Sequence, residues 1–288
     1  KQYEAVADRI LELIHEVEEL PYDIVGITAC DGLHLVGRYY HFCDGAPVMI
    51  LFHGYRGNGR REFAGNNRIA AHLGLNVIAV DERAHGKSGG HTITFGIKER
   101  YDCLAWANYA AERFGKDTPI ILAGVSMGAA TVLMASSLPL PDAVKAIIAD
   151  CPYSSPKAII QKVSSDVKLP PRLAYPFVVI GALVFGKFRL WQSSPVEAVR
   201  RTNVPILLIH GDDDRFVPHF MSRNIHASAP EKIEFHTIPG AGHTLNYVTD
   251  PEGYTEIVNG FYKKIFHNSI FCFIINIVIS VYINRSII

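Results

Sequence analysis

Between residues 47 and 238 the chain returns repeatedly to short runs that are apolar without alternation: PVMILFH (47–53), NVIAVD (76–81), PIILAGV (119–125), VKAIIAD (144–150), VPILLIH (204–210) and KIEFHTI (232–238). A strand apolar at consecutive positions has to be covered on both faces, which is the condition of a parallel sheet with helices on either side. The longer helical segments between the runs supply that cover. Ahead of them, DIVGITA and LHLVGRYYH meet at Asp31-Gly32, a strong hairpin signal. The sequence therefore predicts an α/β fold with an eight-stranded, mostly parallel sheet that opens with an antiparallel hairpin. Residues 3–20 repeat apolar positions at helical spacing up to Pro21 and predict an N-terminal helix within 1–21.

Residues 22–150 and 204–266 are expected to form the core. The stretch between the strands at 144–150 and 204–210 is too long for one crossover helix. It contains LPPRLAYPFVVIGALVFGKFRLWQ (169–192), apolar, aromatic and rich in proline. Left uncovered it would be a large exposed patch, so residues 151–203 are read as a small helical cap over the carboxyl ends of the strands, where open α/β sheets bind ligands. The plainer alternative is a crossover helix with a surface excursion. The tail, 267–288, is apolar and unlike the rest. Its core is shorter than the ~20 residues of a spanning helix and is interrupted by Asn276. An appended segment or an extra packed element is expected there in preference to a membrane anchor.

Charge narrows the partners. With 28 basic and 28 acidic residues, and basic clusters no longer than Arg60-Arg61 or Lys263-Lys264, there is no footprint for nucleic acid. Five scattered cysteines, odd in number and never in a C-x-x-C pair, suggest reduced residues of a cytoplasmic protein and no zinc site. The first residues are amphipathic and not basic-then-apolar, so no signal peptide is expected. Oligomeric state leaves no mark in the sequence.

Two stretches match G-x-S-x-G: GKSGG (86–90) and GVSMG (124–128). The first also resembles the end of a phosphate-binding loop, but the first glycine of that motif would fall on Asp81, whose carboxylate would repel phosphate. A serine nucleophile needs a buried strand running straight into the turn and a helix starting directly after it, with glycines where the two pass closely. IILAGVSMGAATVLMASSL provides this and makes Ser126 the nucleophile candidate; Ser88 is followed by Gly89-Gly90 and no helix start, and belongs to a loop.

A serine hydroxyl attacks usefully when a base takes its proton and a third group holds the base. His243 lies in the glycine-rich loop PGAGH after the last strand, whereas His236 lies inside that strand and is expected to be structural. GDDDRFVP, after the preceding strand, offers Asp212, Asp213 and Asp214. The order serine, acid, histidine is the one this architecture requires. Donors for an oxyanion are expected from the backbone N–H of Met127, at the start of the helix, and of Tyr55 in HGYRGNG, where Gly54 lets the chain turn back over the site. The competing reading of that loop is a phosphate nest.

With these residues in place, the chain over ~22–266 resembles an α/β-hydrolase of the serine-hydrolase kind. HGYRGN, DERAHGKSGG, GVSMG, HGDDDRFVP and PGAGH carry the resemblance, in the family's order. It implies that residues 81–88 are a structural loop, with Ala84 where a glycine is usual. It also selects Asp214 as the acid, four residues after the histidine of the H-G pair and before V-P, with Asp213 as the fallback. The hairpin and compact cap are similar to carboxylesterases, including cinnamoyl and feruloyl esterases, and to the monoglyceride-lipase-like group. A serine nucleophile speaks against the haloalkane dehalogenases and epoxide hydrolases that share this fold. The expected activity is hydrolysis of a small-molecule carboxylic ester through an acyl-enzyme, without metal or organic cofactor. Phe177, Phe185 and Trp191 are candidates for the substrate pocket. Two alternatives stand beside it: a serine peptidase on short peptides, with Glu99, Glu197 or Arg172 reading a chain terminus, and a non-catalytic ligand-binding scaffold.

Overall fold

The computed structural model describes residues 3–60 and 64–266; the apolar tail lies outside the described residues. The elements are α1 (Ala7–Glu18), β1 (Asp23–Thr28), β2 (His34–Tyr40), β3 (Val48–Phe52), α2 (Asn66–Leu73), β4 (Asn76–Val80), α3 (Glu99–Phe114), β5 (Ile120–Val125), α4 (Met127–Ala135), β6 (Val144–Asp150), α5 (Pro156–Asp166), α6 (Pro171–Gly181), a π turn (Ala182–Gly186), α7 (Pro195–Val199), β7 (Ile206–Gly211), α8 (Phe220–Ser228), β8 (Ile233–Ile238), α9 (Asn246–Thr249) and α10 (Pro251–Phe266). Each expected strand is present.

The eight strands form one sheet in the order β1-β2-β4-β3-β5-β6-β7-β8. β1 and β2 pair antiparallel, β2 joins β4 antiparallel, and every later pair is parallel. Alternate strand residues serve different cores. Ile50, Ile78, Leu122 and Leu208 pack with Trp106 of α3 and Val132 of α4 on one side. Met49, Val77, Ile121 and Leu207 pack with Val17 of α1, Ile69 of α2 and Phe261 of α10 on the other. This double cover is why the runs are apolar at both parities. α4 is buried at every position, so its sequence, MGAATVLMA, is apolar all round.

Local signals set the helix starts after β6. Ser155 accepts from Ala158 N–H at 3.1 Å with Pro156 following, and Ser194 caps α7 in the same way ahead of Pro195. α5 and α6 pack on each other. α7 instead packs against α4 and α8, with Val199 inside the core, so it is the crossover helix of the β6–β7 connection. Among the described residues no helix is long and apolar enough to cross a membrane. The strand order departs to opposite sides from β3, through β4 and through β5. That reversal opens a crevice at the carboxyl ends of β3 and β5, the place where such sheets receive ligands.

Candidate active site

β5 runs into α4 through Ser126 alone. Its backbone is at φ 54°, ψ −109°, a conformation L residues avoid, and it projects the side chain from the sheet's edge. The flanking glycines are required by contact. A Cβ on Gly124 would lie 2.4 Å from the Gly128 carbonyl, and one on Gly128 would lie 2.2 Å from the Phe52 carbonyl oxygen. Only bare backbone lets β5, α4 and β3 pass so closely.

The hydroxyl of Ser126 lies 2.9 Å from His243 Nε2, and His243 Nδ1 lies 2.6 Å from Asp214 Oδ2. The proton on Nδ1 faces the carboxylate, which leaves Nε2 as the acceptor for the serine O–H. Asp214 is buried. Its Oδ1 accepts from the N–H groups of Phe216 and Val217 at 2.9 and 2.8 Å. Its Oδ2 also faces His210 Nε2 at 3.1 Å. Burial raises this carboxyl, but the hydrogen bonds from His210 and His243 outweigh it and hold the group down at about 2.

His210 was not singled out from the sequence. Its signal was a polar residue closing the apolar run of β7. Nδ1 lies 2.6 Å from the Ser222 hydroxyl, and Nε2 reaches the Val217 carbonyl at 2.8 Å as well as Asp214. Of the neighbouring acids, Asp213 pairs with Arg215 at 3.1 Å on the surface, and Asp212 accepts from Gly240 N–H at 2.6 Å. Neither approaches His243 within hydrogen-bonding range.

Cys151 Sγ lies within 4.8 Å of ligand-type atoms of Asp214 and His243. Burial pushes its thiol well above its ordinary value. The other two groups are already joined by a hydrogen bond. The cluster consists of a hydrogen-bonded acid–imidazole pair with the buried Cys151 thiol beside it.

The loop after β3 is held by two histidines. His53 Nε2 accepts from Glu82 N–H at 2.9 Å and Nδ1 donates to the Gly54 carbonyl at 2.7 Å; burial holds its imidazole down at about 4, neutral as this pattern needs. His85 Nε2 accepts from Arg56 N–H at 3.1 Å. The 81–90 loop supports this one. Ser88 Oγ donates to the Asp81 carbonyl at 2.5 Å and accepts from Val36 N–H at 2.8 Å, so its hydroxyl is tied into β2. Asp81 accepts from Gly59 N–H at 3.1 Å and Lys87 N–H at 3.0 Å. Ala84 holds the left-handed conformation, φ 61°, that explains why a glycine is usual there.

A cavity of about 350 Å³ opens beside Ser126. Its lining includes Tyr55, Phe95, Met127, Ile159, Ile160 and Val163 of α5, Val178 of α6, and Phe216, whose ring lies 5.0 Å from that of His243. Among the described residues, no Asp, Glu, Lys, Arg or His is in its lining. Phe177, Phe185 and Trp191 do not line it, which corrects that expectation. Their side chains are exposed, while α6 turns Tyr175 and Val179 inward and the π turn buries Ala182. Glu99, Glu197 and Arg172 are absent from the lining as well; Glu99 is buried and accepts from Thr94 N–H at 2.7 Å.

A doubly covered parallel sheet with an antiparallel hairpin at one edge, and a serine on the turn after its central strand, defines a class. The chain belongs to the alpha/beta hydrolase family, whose sequence model matches residues 49–257. The Bacillus subtilis protein YqkD is 25% identical over 251 residues, covering 87% of this chain and 82% of that protein. A monoacylglycerol lipase of Mycolicibacterium smegmatis is 28% identical over 233 residues, 70% of this chain and 82% of the lipase. Among solved structures, the Pyrococcus furiosus esterase Pf2001 superposes with a TM-score of 0.70 at 25% identity, over 87% of this chain and 93% of the esterase. Est1E of Butyrivibrio proteoclasticus, solved with ferulic acid, shares the fold with a TM-score of 0.63 at 23% identity, over 85% of this chain and all of Est1E.

Proposed function

We propose that this protein is a serine hydrolase that cleaves carboxylic esters through an acyl-enzyme. The observation that carries the reading is the continuous hydrogen-bonded path from Ser126 Oγ through His243 to Asp214, with the strained serine itself in the lining of an apolar cavity. Ser126 attacks the ester carbonyl carbon while His243 Nε2 takes its proton. Asp214, ionised, orients the imidazole and stabilises its charged form. The carbonyl oxygen becomes an oxyanion held by the N–H groups of Met127 and Tyr55; Met127 opens α4, where a helix has no internal acceptor for its N–H. His243 then delivers the proton to the departing alkoxide. Water, activated by the same imidazole, attacks the acyl carbon, and Ser126 leaves with the proton restored.

The names of the relatives support an ester substrate: one neighbour is an esterase and one relative a monoacylglycerol lipase. The uncharged cavity lining favours an ester over a peptide recognised by a charged terminus. We read α5, α6 and the π turn as a cap over the site.

Hydrolysis of nitrophenyl esters with short, medium, long and aromatic acyl groups tests the reading, with Ser126→Ala run in parallel and a fluorophosphonate probe reporting labelling. Turnover in the wild type is expected to fall by about 10³-fold or more in the variant, with loss of labelling. A folded wild type that neither turns over esters nor takes the probe would overturn it.

A further inference from the structure

α6 and the π turn after it have two faces of opposite fate. Tyr175, Val179 and Ala182, at helical spacing, pack against the cluster below. Leu173, Phe177, Ile180 and Val184 follow the same spacing on the outer side and are exposed, with Phe177 75% and the adjoining Phe185 84% accessible. α6 buries none of its residues completely. An apolar row of this length left in water marks a surface that meets something else.

Charge says what it meets. The thirty residues 167–196 contain no acidic side chain in a chain with 28 of them, yet they carry Lys168, Arg172, Lys187 and Arg189, all exposed. Lys168 and Lys187 stand at the turns that bracket the apolar row. An apolar stripe on a segment with four cations and no acid of its own, Asp166 just ahead of it being paired with Lys162, fits the boundary between anionic headgroups and acyl chains. Val163, Val178 and Phe216, the second of them on α6 itself, line the cavity and are also partly exposed.

We propose that the outer face of α6 and the π turn docks this protein on an anionic lipid bilayer surface, with the cavity mouth facing the lipid. Docking stands apart from the esterase reading; only delivery of an acyl ester from the bilayer rests on it.

Co-sedimentation of the full chain, as Ser126→Ala so that lipid is not consumed, with vesicles of phosphatidylcholine alone or mixed with phosphatidylglycerol provides the test. Binding is expected on the mixed vesicles and is expected to weaken with salt. Phe177→Glu/Phe185→Glu should lower partitioning about tenfold or more. Lys168→Glu/Lys187→Glu should remove the preference for the anionic lipid. Residues 267–288 are apolar too, so the loss on substitution, and not binding as such, carries the proposal. Variants that sediment like the parent would overturn it. So would absence of binding together with a dimer, in sedimentation velocity, that Phe177→Glu/Phe185→Glu dissociates, since a second copy would then cover the face. The same substitutions in the active chain should leave turnover of a soluble short-chain ester unchanged, which reports the fold. Vesicle binding without any ester turnover would sink the proposed activity and leave docking standing.

Discussion

Ser126 stores backbone strain at the point where the chemistry is proposed to occur. A sparsely populated backbone conformation of this kind, at positive φ, costs an L residue about 1–3 kcal/mol, most of which glycine avoids. Ser126→Gly and Ser126→Ala should both abolish turnover, but the glycine variant should be the more stable by about 1 kcal/mol, a rise in Tm of about 2 °C over alanine. Equal melting of the two would remove the strain argument. Asp214 makes a prediction of opposite character. Its folded value, about 2, lies below the ordinary 3.8, so the stabilisation it provides is present above the unfolded value and is lost as pH falls through the folded one. Between about pH 5 and pH 2 the wild type should lose about 2 kcal/mol more stability than Asp214→Asn, measured by urea unfolding at each pH. Among the three consecutive acids, residue chemistry alone makes no choice; the motif resemblance selects Asp214, and the geometry gives the physical reason. Asp212, Asp213 and Asp214 are chemically alike, and what separates them is that one points at two imidazoles while the others face Gly240 and Arg215.

At the scale of elements, the junction of β3, β5 and α4 is built on absent side chains. Gly128→Ala would drive a methyl into the Phe52 carbonyl, and backbone in a central strand cannot withdraw as a flexible side chain can. The variant is expected to lose about 3 kcal/mol or more of stability, read as a shifted urea midpoint, and to accumulate as insoluble protein. This junction was legible in GVSMG because its constraint is local: strand, turn and helix are consecutive in sequence. The cavity was not legible. Size and apolarity pointed to Phe177, Phe185 and Trp191, but a helix buries the face that meets its neighbour, and which face that is depends on how α6 lies on α5. The true lining from α5, Ile159, Ile160 and Val163, left only a short apolar cluster in AIIQKV as its signal.

Across the whole molecule, the loop bearing His243 is tied back to the sheet by residues far from the chemistry. Asp150, at the end of β6, is buried. It accepts from Asn246 Nδ2 at 2.6 Å and from the Tyr254 hydroxyl at 3.0 Å, which fastens α9 and α10 under the site. Asn246→Ala would leave a buried carboxylate short of a donor, and should cost about 2 kcal/mol in urea unfolding with reduced ester turnover. No sequence pattern announces this tie, because its members are about a hundred positions apart. The doubly covered sheet, the hairpin and the tight turn carrying Ser126 were readable from residues alone, since each follows from the periodicity of a local run or from a turn that only certain residues can make. Only packing in three dimensions decided that His210 shares Asp214 with His243, which apolar side chains line the cavity and which are left facing water. Those outcomes depend on the directions in which distant elements present their side chains, and direction in space is set by packing, which spacing along a chain does not encode.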